Sequence, residues 1–489
     1  MHAMKNLSQL RFLSDEALGK IEDTAFRLLD EVGIALGHSE AQEMLHGLGC
    51  RIAGDRTHLP PDVVGWALEN VTPHRDFYNV DGSFAFRLDG QDVRFHNGGG
   101  PPFAYDLASG ERRPATLQDV ADMTRLLDAL PQIDVVVPLF GPQDVRPQLL
   151  PIASTEATLR NTRKPVSSAA IDRPEHVDYI VDMAAACCGG LEAYRDHPSM
   201  TISVSPVSPL TFSAEITAAM MAVVESSSPF YPLPAPTMGA TSPITMAGAL
   251  AQQHAEVLAS LVIAAAVRPG APVGYCSRIN PIDLRTAVSS WGGPEVGMTG
   301  ACAAQLAHRV GLACDAYGLS TSARRLDPQF AYERLANAFP PALAGVDILS
   351  GVGTTDSGLA GAYEIAVIDD EIISLLKHVI RGCMVNEDTL AFDVMREVII
   401  RDGVFLGEEH TVRHVRAGAL TMPRVGAWST LDESEPESAV ARAKSRAAHI
   451  LRTHSVEPLP EDVSRRLDQI MDRARRELAG SDANAQRDA

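Results

Sequence analysis

Side chains able to move a proton are scarce where this chain would build a site. The ionisable candidates near the ends of its predicted strands are His96, Arg324, Arg325, Asp327 and Asp356, with Glu364 further into a following helix. General acid–base chemistry needs a carboxylate, lysine or histidine pair within hydrogen-bond reach, and this set is sparse for it. Around these residues lie small, hydroxyl-bearing or glycine stretches: Asn97 to Gly100, Ser203 to Pro206 with Ser205, Thr237 to Thr241 with Met238, Ser320 to Ser322, and Ser350 to Gly358 with Thr354. Such a lining suits binding and orienting a ligand more than abstracting a proton.

Two motifs carry sharper alternatives. His410 and His414 stand at i and i+4, a spacing that puts two imidazoles on one helix face and can hold zinc. No third ligand is near in sequence, so the pair reads as exposed helix histidines and no metal site is expected. Gly351 to Gly358 offers backbone N–H groups ahead of a helix, as phosphate-binding loops do. It lacks the P-loop lysine, and a rim loop packed under a ligand is an equal reading. Phe103, Tyr105, Phe140, Phe230, Tyr231, Tyr275 and Trp291 fall at or near strand ends, where rings can cage a quaternary ammonium; taken singly, each such ring is more often core.

What must position these residues is a repeated strand–loop–helix rhythm. Short β-branched or apolar runs begin near 93, 135, 165, 200, 230, 272, 316 and 346, and each is followed by a helical pattern. The first helix is capped by Thr116 and carries Val120, Met123, Leu126 and Leu127 on one stripe; the last covers 363–380. Eight such units predict an α/β fold, a (β/α)8 barrel over 92–380, with its site at the C-terminal strand ends. No GxGxxG follows the first strand, which weighs against a doubly wound open sheet. Residues 1–91 read as a helical and small-β extension, with Ser14 capping a helix that runs to Gly33. Residues 381–479 read as helices at 383–400, 404–416, 434–453 and 459–479, covering the barrel or building an oligomer interface, and 480–489 as a disordered tail.

Composition narrows the function classes. The formal charge of −20, from 62 acidic against 42 basic residues, argues against nucleic-acid binding and mildly suits a cationic substrate. The N-terminus has no continuous apolar segment, so a cytoplasmic protein is expected; Val257 to Val267 is too short to span a bilayer and reads as a buried helix. Seven cysteines show no CxxC pattern and mostly sit in apolar surroundings, as reduced core thiols do.

Long segments resemble one family: SGERRPATLQDVADMTRLLDALPQIDVV (109–136), NTRKPV (161–166), SPVSPLTF (205–212), NPIDLRTAVSSWGGPEVGMTGACAAQLAHRVGL (280–312), LDPQFAYE (326–333), ILSGVGTTDSGLAGAYEIAVIDDEII (348–373) and FLGEEHTVRHVRAG (405–418). The chain is similar, from about residue 15 to 475, to the trimethylamine methyltransferase family of corrinoid-dependent methyltransferases. The resemblance implies a β/α barrel that passes a methyl group from an amine to the cobalt of a separate corrinoid protein. It fits a sparse site, because the acceptor is the nucleophile and the protein needs only to bind a cation, orient it and exclude water. No DxHxxG pattern of a cobalamin-binding domain is present, so no tightly bound cofactor is expected and the corrinoid would arrive on its partner.

One departure bears on the substrate. Family members that demethylate trimethylamine carry pyrrolysine after the seventh strand, in the neighbourhood occupied here by STSARRLDPQFAYE. Without it, the chain looks like the glycine-betaine group, and the resemblance implies a small quaternary amine. The expected substrate-binding set is His96, Asn97, Tyr105, Phe140, Ser205, Phe230, Met238, Tyr275, Trp291, Arg324, Arg325, Asp327, Gln329, Ser350, Thr354 and Asp356, with Arg324 or Arg325 on a substrate carboxylate. No catalytic residue is assigned. Two other readings remain open: a metal-dependent hydrolase or lyase on the same barrel, and a betaine-binding protein without turnover. Neither a nucleic-acid nor a membrane partner is expected, and a homo-oligomer fits a barrel with helical tails.

Overall fold

The computed structural model describes residues 9–421, 423–426 and 438–478; the expected disordered tail and the first residues of the helix expected at 434–453 lie outside them. Eight short strands run parallel: β1 (Arg94–Asn97), β2 (135–136), β3 (Val166–Ser167), β4 (Met200–Val204), β5 (Phe230–Pro232), β6 (Ala271–Val273 continued by Tyr275–Ser277), β7 (Cys314–Tyr317) and β8 (Ile348–Val352). His96 bridges Val135, Val136 bridges Val166, Ser167 pairs with Thr201, Ser203 with Tyr231, Phe230 with Val273, Cys276 with Asp315, and Ala316 with Leu349. Leu349 then pairs with Phe95, and the sheet closes on itself. Outside it run α1 (Leu117–Ala129), α2 (Leu150–Asn161), α3 (Pro174–Cys187), α4 (Ala214–Glu225), α5 (Met246–Val267), α6 (Pro294–Arg309), α7 (Pro328–Leu343) and α8 (Tyr363–Arg381). This is the (β/α)8 barrel that the eightfold rhythm predicts.

Local chemistry explains the element boundaries. The Thr116 hydroxyl accepts from the Asp119 N–H while the Asp119 carboxylate accepts from the Thr116 N–H at 2.8 Å, a reciprocal capping box at the start of α1. Asp119 also takes Arg113 at 2.6 and 2.8 Å and the Tyr363 hydroxyl at 2.8 Å, which joins α1 to α8. Burial pushes this carboxyl up, but Arg113 and Thr116 outweigh it and hold it at about 2. Thr116→Ala is expected to lower unfolding stability by about 1 kcal/mol, measured by denaturant titration; no change would show that Arg113 and Tyr363 hold the helix start without the cap.

Alternation along the strands separates two cores. Phe95, Phe230, Tyr275, Cys314 and Leu349 face the helices. Val135, Tyr231, Cys276, Ala313 and Ile348 face inward, where the hairpin Asp76–Tyr78/Phe84–Arg87 plugs the N-terminal end of the barrel with Phe77, Phe86 and Leu88. The Phe77 and Phe86 rings stack at 4.8 Å. Helix α5 has the length and apolarity to cross a membrane, but 89% of its apolar window is packed inside the protein.

Beyond the barrel, the helix expected over 383–400 is broken. Asn386 caps a single turn, α9 (Glu387–Leu390), Ala391 turns left-handed at φ +52°, and α10 (Phe392–Ile400) follows. The helix expected at 404–416 begins with a tight turn at Phe405–Gly407 before α11 (Glu409–Arg416). The last two helices, α12 (Ala439–Thr453) and α13 (Glu461–Leu478), lie on the barrel's outer helices; Arg473 of α13 bonds Asp182 of α3 at 2.6 Å.

Candidate functional site

At the C-terminal end of the barrel a buried ion pair crosses the interior. Arg278, one residue past β6, donates from Nη2 to both Asp315 carboxylate oxygens at 2.9 Å and from Nη1 to the Asp315 and Ser277 carbonyls at 2.9 Å. His96 of β1 reaches the same carboxylate, with Nε2 3.2 Å from Oδ2, while its Nδ1 lies 2.6 Å from the Asn97 carbonyl. β8 lies between β7 and β1 in the wall, so this contact passes through the lumen. Burial pushes Asp315 up; the charge of Arg278, then that of His96, outweighs it and holds the carboxyl at about 2. Burial alone would lower Arg278, and Asp315 more than offsets it. The Arg278 side chain nevertheless keeps 11% exposure.

Above the pair stand two aromatic rings. Tyr317, at the end of β7, has its ring 5.6 Å from the Arg278 guanidinium and meets Trp291 edge-on at 4.8 Å. Its hydroxyl lies 3.2 Å from Thr354 Oγ1, and Thr354 donates to the Gly351 carbonyl at 2.7 Å. Burial raises the Tyr317 phenol above its ordinary range, so it stays a neutral hydrogen-bonding ring. Gly98 sits against both partners: a Cβ there would lie 2.4 Å from Thr354 Cγ2 and 3.1 Å from the Tyr317 hydroxyl.

The loops after β6, β7 and β8 are tied into one rim. Ser320 donates to the Trp291 carbonyl at 2.6 Å, and Gly292 donates to Ser322 at 3.1 Å. Glu333 of α7 collects Thr321 at 2.6 Å, the Ser322 N–H at 2.8 Å and Gln329 at 2.8 Å. Arg334, fully buried, donates to the Leu319 and Thr354 carbonyls and pairs with Asp369 at 3.3 Å. Burial raises Asp369 to about 6, against the pull of Arg334. Residues 354–355 and Ala360–Ala362 form a small rim sheet with Phe103–Tyr105 and Arg112–Pro114.

The expected site residues divide by this geometry. His96, Trp291 and Thr354 meet around Asp315, Arg278 and Tyr317. Asn97 is wholly buried and fastens β1 to β2 through the Val137 N–H and carbonyl at 2.9 and 2.7 Å. Ser350 is engaged by the Ala316 carbonyl at 3.1 Å, and Ser205 is half-buried past β4. Phe140 packs beside Tyr363, 6.4 Å between ring centres, and Met238 is buried. Phe230 and Tyr275 face the helices, Tyr275 with its hydroxyl 3.1 Å from His254. At the outer rim Tyr105 donates to the Arg324 carbonyl at 3.3 Å, Asp327 caps α7, and Gln329 holds Glu333. Arg324, 76% exposed, bonds Asp356 at 2.7 Å, and Arg112 lies 3.6 Å from the same carboxylate. Arg325 is exposed, and among the described residues no ion pair holds it. Of the other aromatics, Phe103 is covered by Arg112 at 3.6 Å and Tyr231 lies low in the barrel against His74. The Gly351–Gly358 loop turns three N–H groups onto protein acceptors, Asp369, Ala323 and Thr321, which leaves them unavailable to a phosphate.

Asp315, Arg278 and Tyr317 escape the sequence reading. The strand parity that turns Asp315 and Tyr317 inward together was the available signal.

Comparison with known proteins bears on this site. The family model described as "Trimethylamine methyltransferase (MTTB)" matches residues 1–479. The trimethylamine methyltransferase MttB of Desulfitobacterium hafniense (strain DSM 10664 / DCB-2) is 29% identical over 469 residues, covering 94% of this chain and 93% of its own. The glycine betaine methyltransferase of Desulfitobacterium hafniense (strain Y51) is 27% identical over 465 residues, covering 94% and 96%. Among solved structures, the monomethylamine methyltransferase of Methanosarcina barkeri aligns with a TM-score of 0.45 at 14% identity, over 97% of this chain and 95% of that one.

Proposed function

Because the chain belongs to the trimethylamine methyltransferase family and is a methyl-transferring enzyme, we propose that it takes a methyl group from a small betaine and delivers it to the cobalt of a separate corrinoid protein docked over the barrel mouth. In that reaction the C–N bond breaks with its electron pair staying on nitrogen, and the methyl carbon bonds to the reduced cobalt that attacks it. The amine leaves neutral, so no proton needs to move at the site.

The observation that carries this reading is the state of the ionisable groups at the mouth. Asp315, Arg278 and His96 are engaged with one another, and the neighbouring surface is the Trp291–Tyr317 pair. That arrangement binds a cation through ring faces and neutralises the arginine that would repel it. Of the two arginines, Arg325 rather than Arg324 would take a substrate carboxylate, because Asp356 already engages Arg324. The absence of pyrrolysine favours a betaine over trimethylamine.

A thermal-shift series with trimethylamine, glycine betaine, carnitine, choline and proline betaine, followed by methyl transfer to free cob(I)alamin, tests the reading. A ligand that binds only the folded protein raises its melting temperature with concentration. A betaine is expected to raise it and to be demethylated; a response to trimethylamine alone would overturn the substrate assignment. Trp291→Ala is expected to weaken betaine binding by roughly tenfold, the range of one partly desolvated cation–π contact. Arg325→Ala should weaken glycine betaine and leave choline, which has no carboxylate, unchanged; equal losses for both would remove Arg325 from carboxylate recognition.

A further inference from the structure

We propose that Asp388, His410 and His414 form a divalent-metal site of the zinc class, outside the barrel, that fastens α9 to α11. His410 and His414 stand one turn apart on α11, with ring centres 4.2 Å apart. The sequence offers this pair no third ligand, and the fold supplies one. The left-handed break at Ala391 folds α9 back so that Asp388 Oδ2 lies 3.3 Å from His414 Nε2, and the Asp388 carbonyl lies 3.0 Å from His410 Nε2. One ligand atom from each of the three residues falls within 4.8 Å of the other two. Bonds of about 2.0–2.2 Å to a tetrahedral ion would place such atoms roughly 3.5 Å apart, so small rotamer adjustments complete the site. His414 Nε2 is shielded from solvent and, among the described residues, makes no hydrogen bond of good geometry, which leaves its lone pair for a metal.

The surrounding charges fit this role. Arg413 donates to Asp388 Oδ1 at 2.5 Å and to Oδ2 at 2.8 Å. It can stay on Oδ1 as an orienting partner while Oδ2 turns to the ion, the arrangement outer hydrogen bonds give to metal-ligating carboxylates. Two imidazoles and one carboxylate suit zinc over calcium or magnesium, which prefer all-oxygen shells. Asp388 is 51% exposed, so the fourth position faces water. The ion would close the chain between residues 388 and 410, a stretch that leaves Phe392, Ile399, Ile400 and Leu406 exposed to solvent. Holding the two ends together removes conformational freedom from that arm.

The test uses the full chain, stripped with a chelator and titrated with zinc alone against a chromophoric competitor. The wild type is expected to take one equivalent, and His410→Ala, His414→Ala and Asp388→Asn each to weaken it at least tenfold. Zinc should also slow tryptic cleavage within 383–420 in the wild type and not in His414→Ala. The barrel's melting transition serves as the folding control, since the three side chains lie outside it. No zinc uptake by the wild type overturns the site. Equal uptake by Asp388→Asn also overturns it, because that result describes only a surface histidine pair.

Discussion

Asp315→Ala is expected to abolish methyl transfer and to cost about 3–5 kcal/mol of stability, the usual consequence of leaving one buried charge without its partner. Arg278 loses both carboxylate bonds, His96 loses its contact across the lumen, and the guanidinium under Tyr317 becomes an uncompensated positive charge. A unit charge within about 8 Å of a cationic substrate repels it by roughly 2 kcal/mol at an effective dielectric near 20, so binding fails for electrostatic as well as structural reasons. Asp315→Asn keeps the shape and removes the charge. The pH dependence has a definite sign: the folded carboxyl titrates at about 2, below its ordinary 3.8. Its stabilisation is therefore complete above an unfolded-state value of roughly 4 and is lost as pH falls toward about 2. The gap in melting temperature between wild type and Asp315→Asn should be widest above pH 4 and shrink in acid; a constant gap would mean that the charge is not what stabilises. The double change Arg278→Met with Asp315→Leu separates the two roles. Removing both charges restores most of the stability, but methyl transfer stays lost if the ion pair shapes the mouth. Recovery of turnover in that variant would assign the pair to stability alone.

The barrel was legible in the sequence because its signal is local. Each strand run sits ahead of a helical pattern, α1 starts at its Thr116 cap, and α3 and α5 occupy 174–187 and 246–267, the ranges their patterns predict. The candidate site was legible only where a residue's position along a strand suffices. His96 lies in β1 and Trp291 in the loop after β6, and they meet Asp315 and Tyr317 at the C-terminal end of the barrel, but Phe230 and Tyr275, one residue out of phase with their inward neighbours Tyr231 and Cys276, face the helices. Reading an inward face requires the register of a two-residue period, and an apolar strand buried on both sides conceals it. Asp315 and Arg278 were missed for a different reason. The Asp315 contact with His96 joins β7 to β1, 219 residues apart, and exists only once the sheet has closed, while Arg278 reaches the same carboxylate from past the neighbouring β6. Asp388 was hidden likewise, because the turn that brings it to His414 depends on one left-handed residue in a stretch with unbroken helical patterning.

Gly98→Ala is expected to lower kcat/KM for the proposed betaine substrate by roughly thirtyfold, about 2 kcal/mol, and to reduce stability by about 1–3 kcal/mol, the range of overpacking a filled interior. Gly98 does not occupy a left-handed conformation, so its backbone accepts alanine and the effect is purely one of space. The new methyl group would lie 2.4 Å from Thr354 Cγ2. Thr354 cannot rotate freely away, because its hydroxyl donates to the Gly351 carbonyl and meets the Tyr317 hydroxyl. Retreat of Thr354 therefore releases Tyr317, and with it the ring that faces Trp291 above Arg278. The same geometry specifies a rescue. Thr354→Ser removes the obstructing methyl group and keeps the hydroxyl, so Gly98→Ala with Thr354→Ser should recover most of the lost activity, while Gly98→Ala with Thr354→Val should not. If the serine double variant is as impaired as Gly98→Ala alone, the close packing of Gly98 on Thr354 is not what sets the position of Tyr317, and the aromatic wall must be held from the Trp291 side.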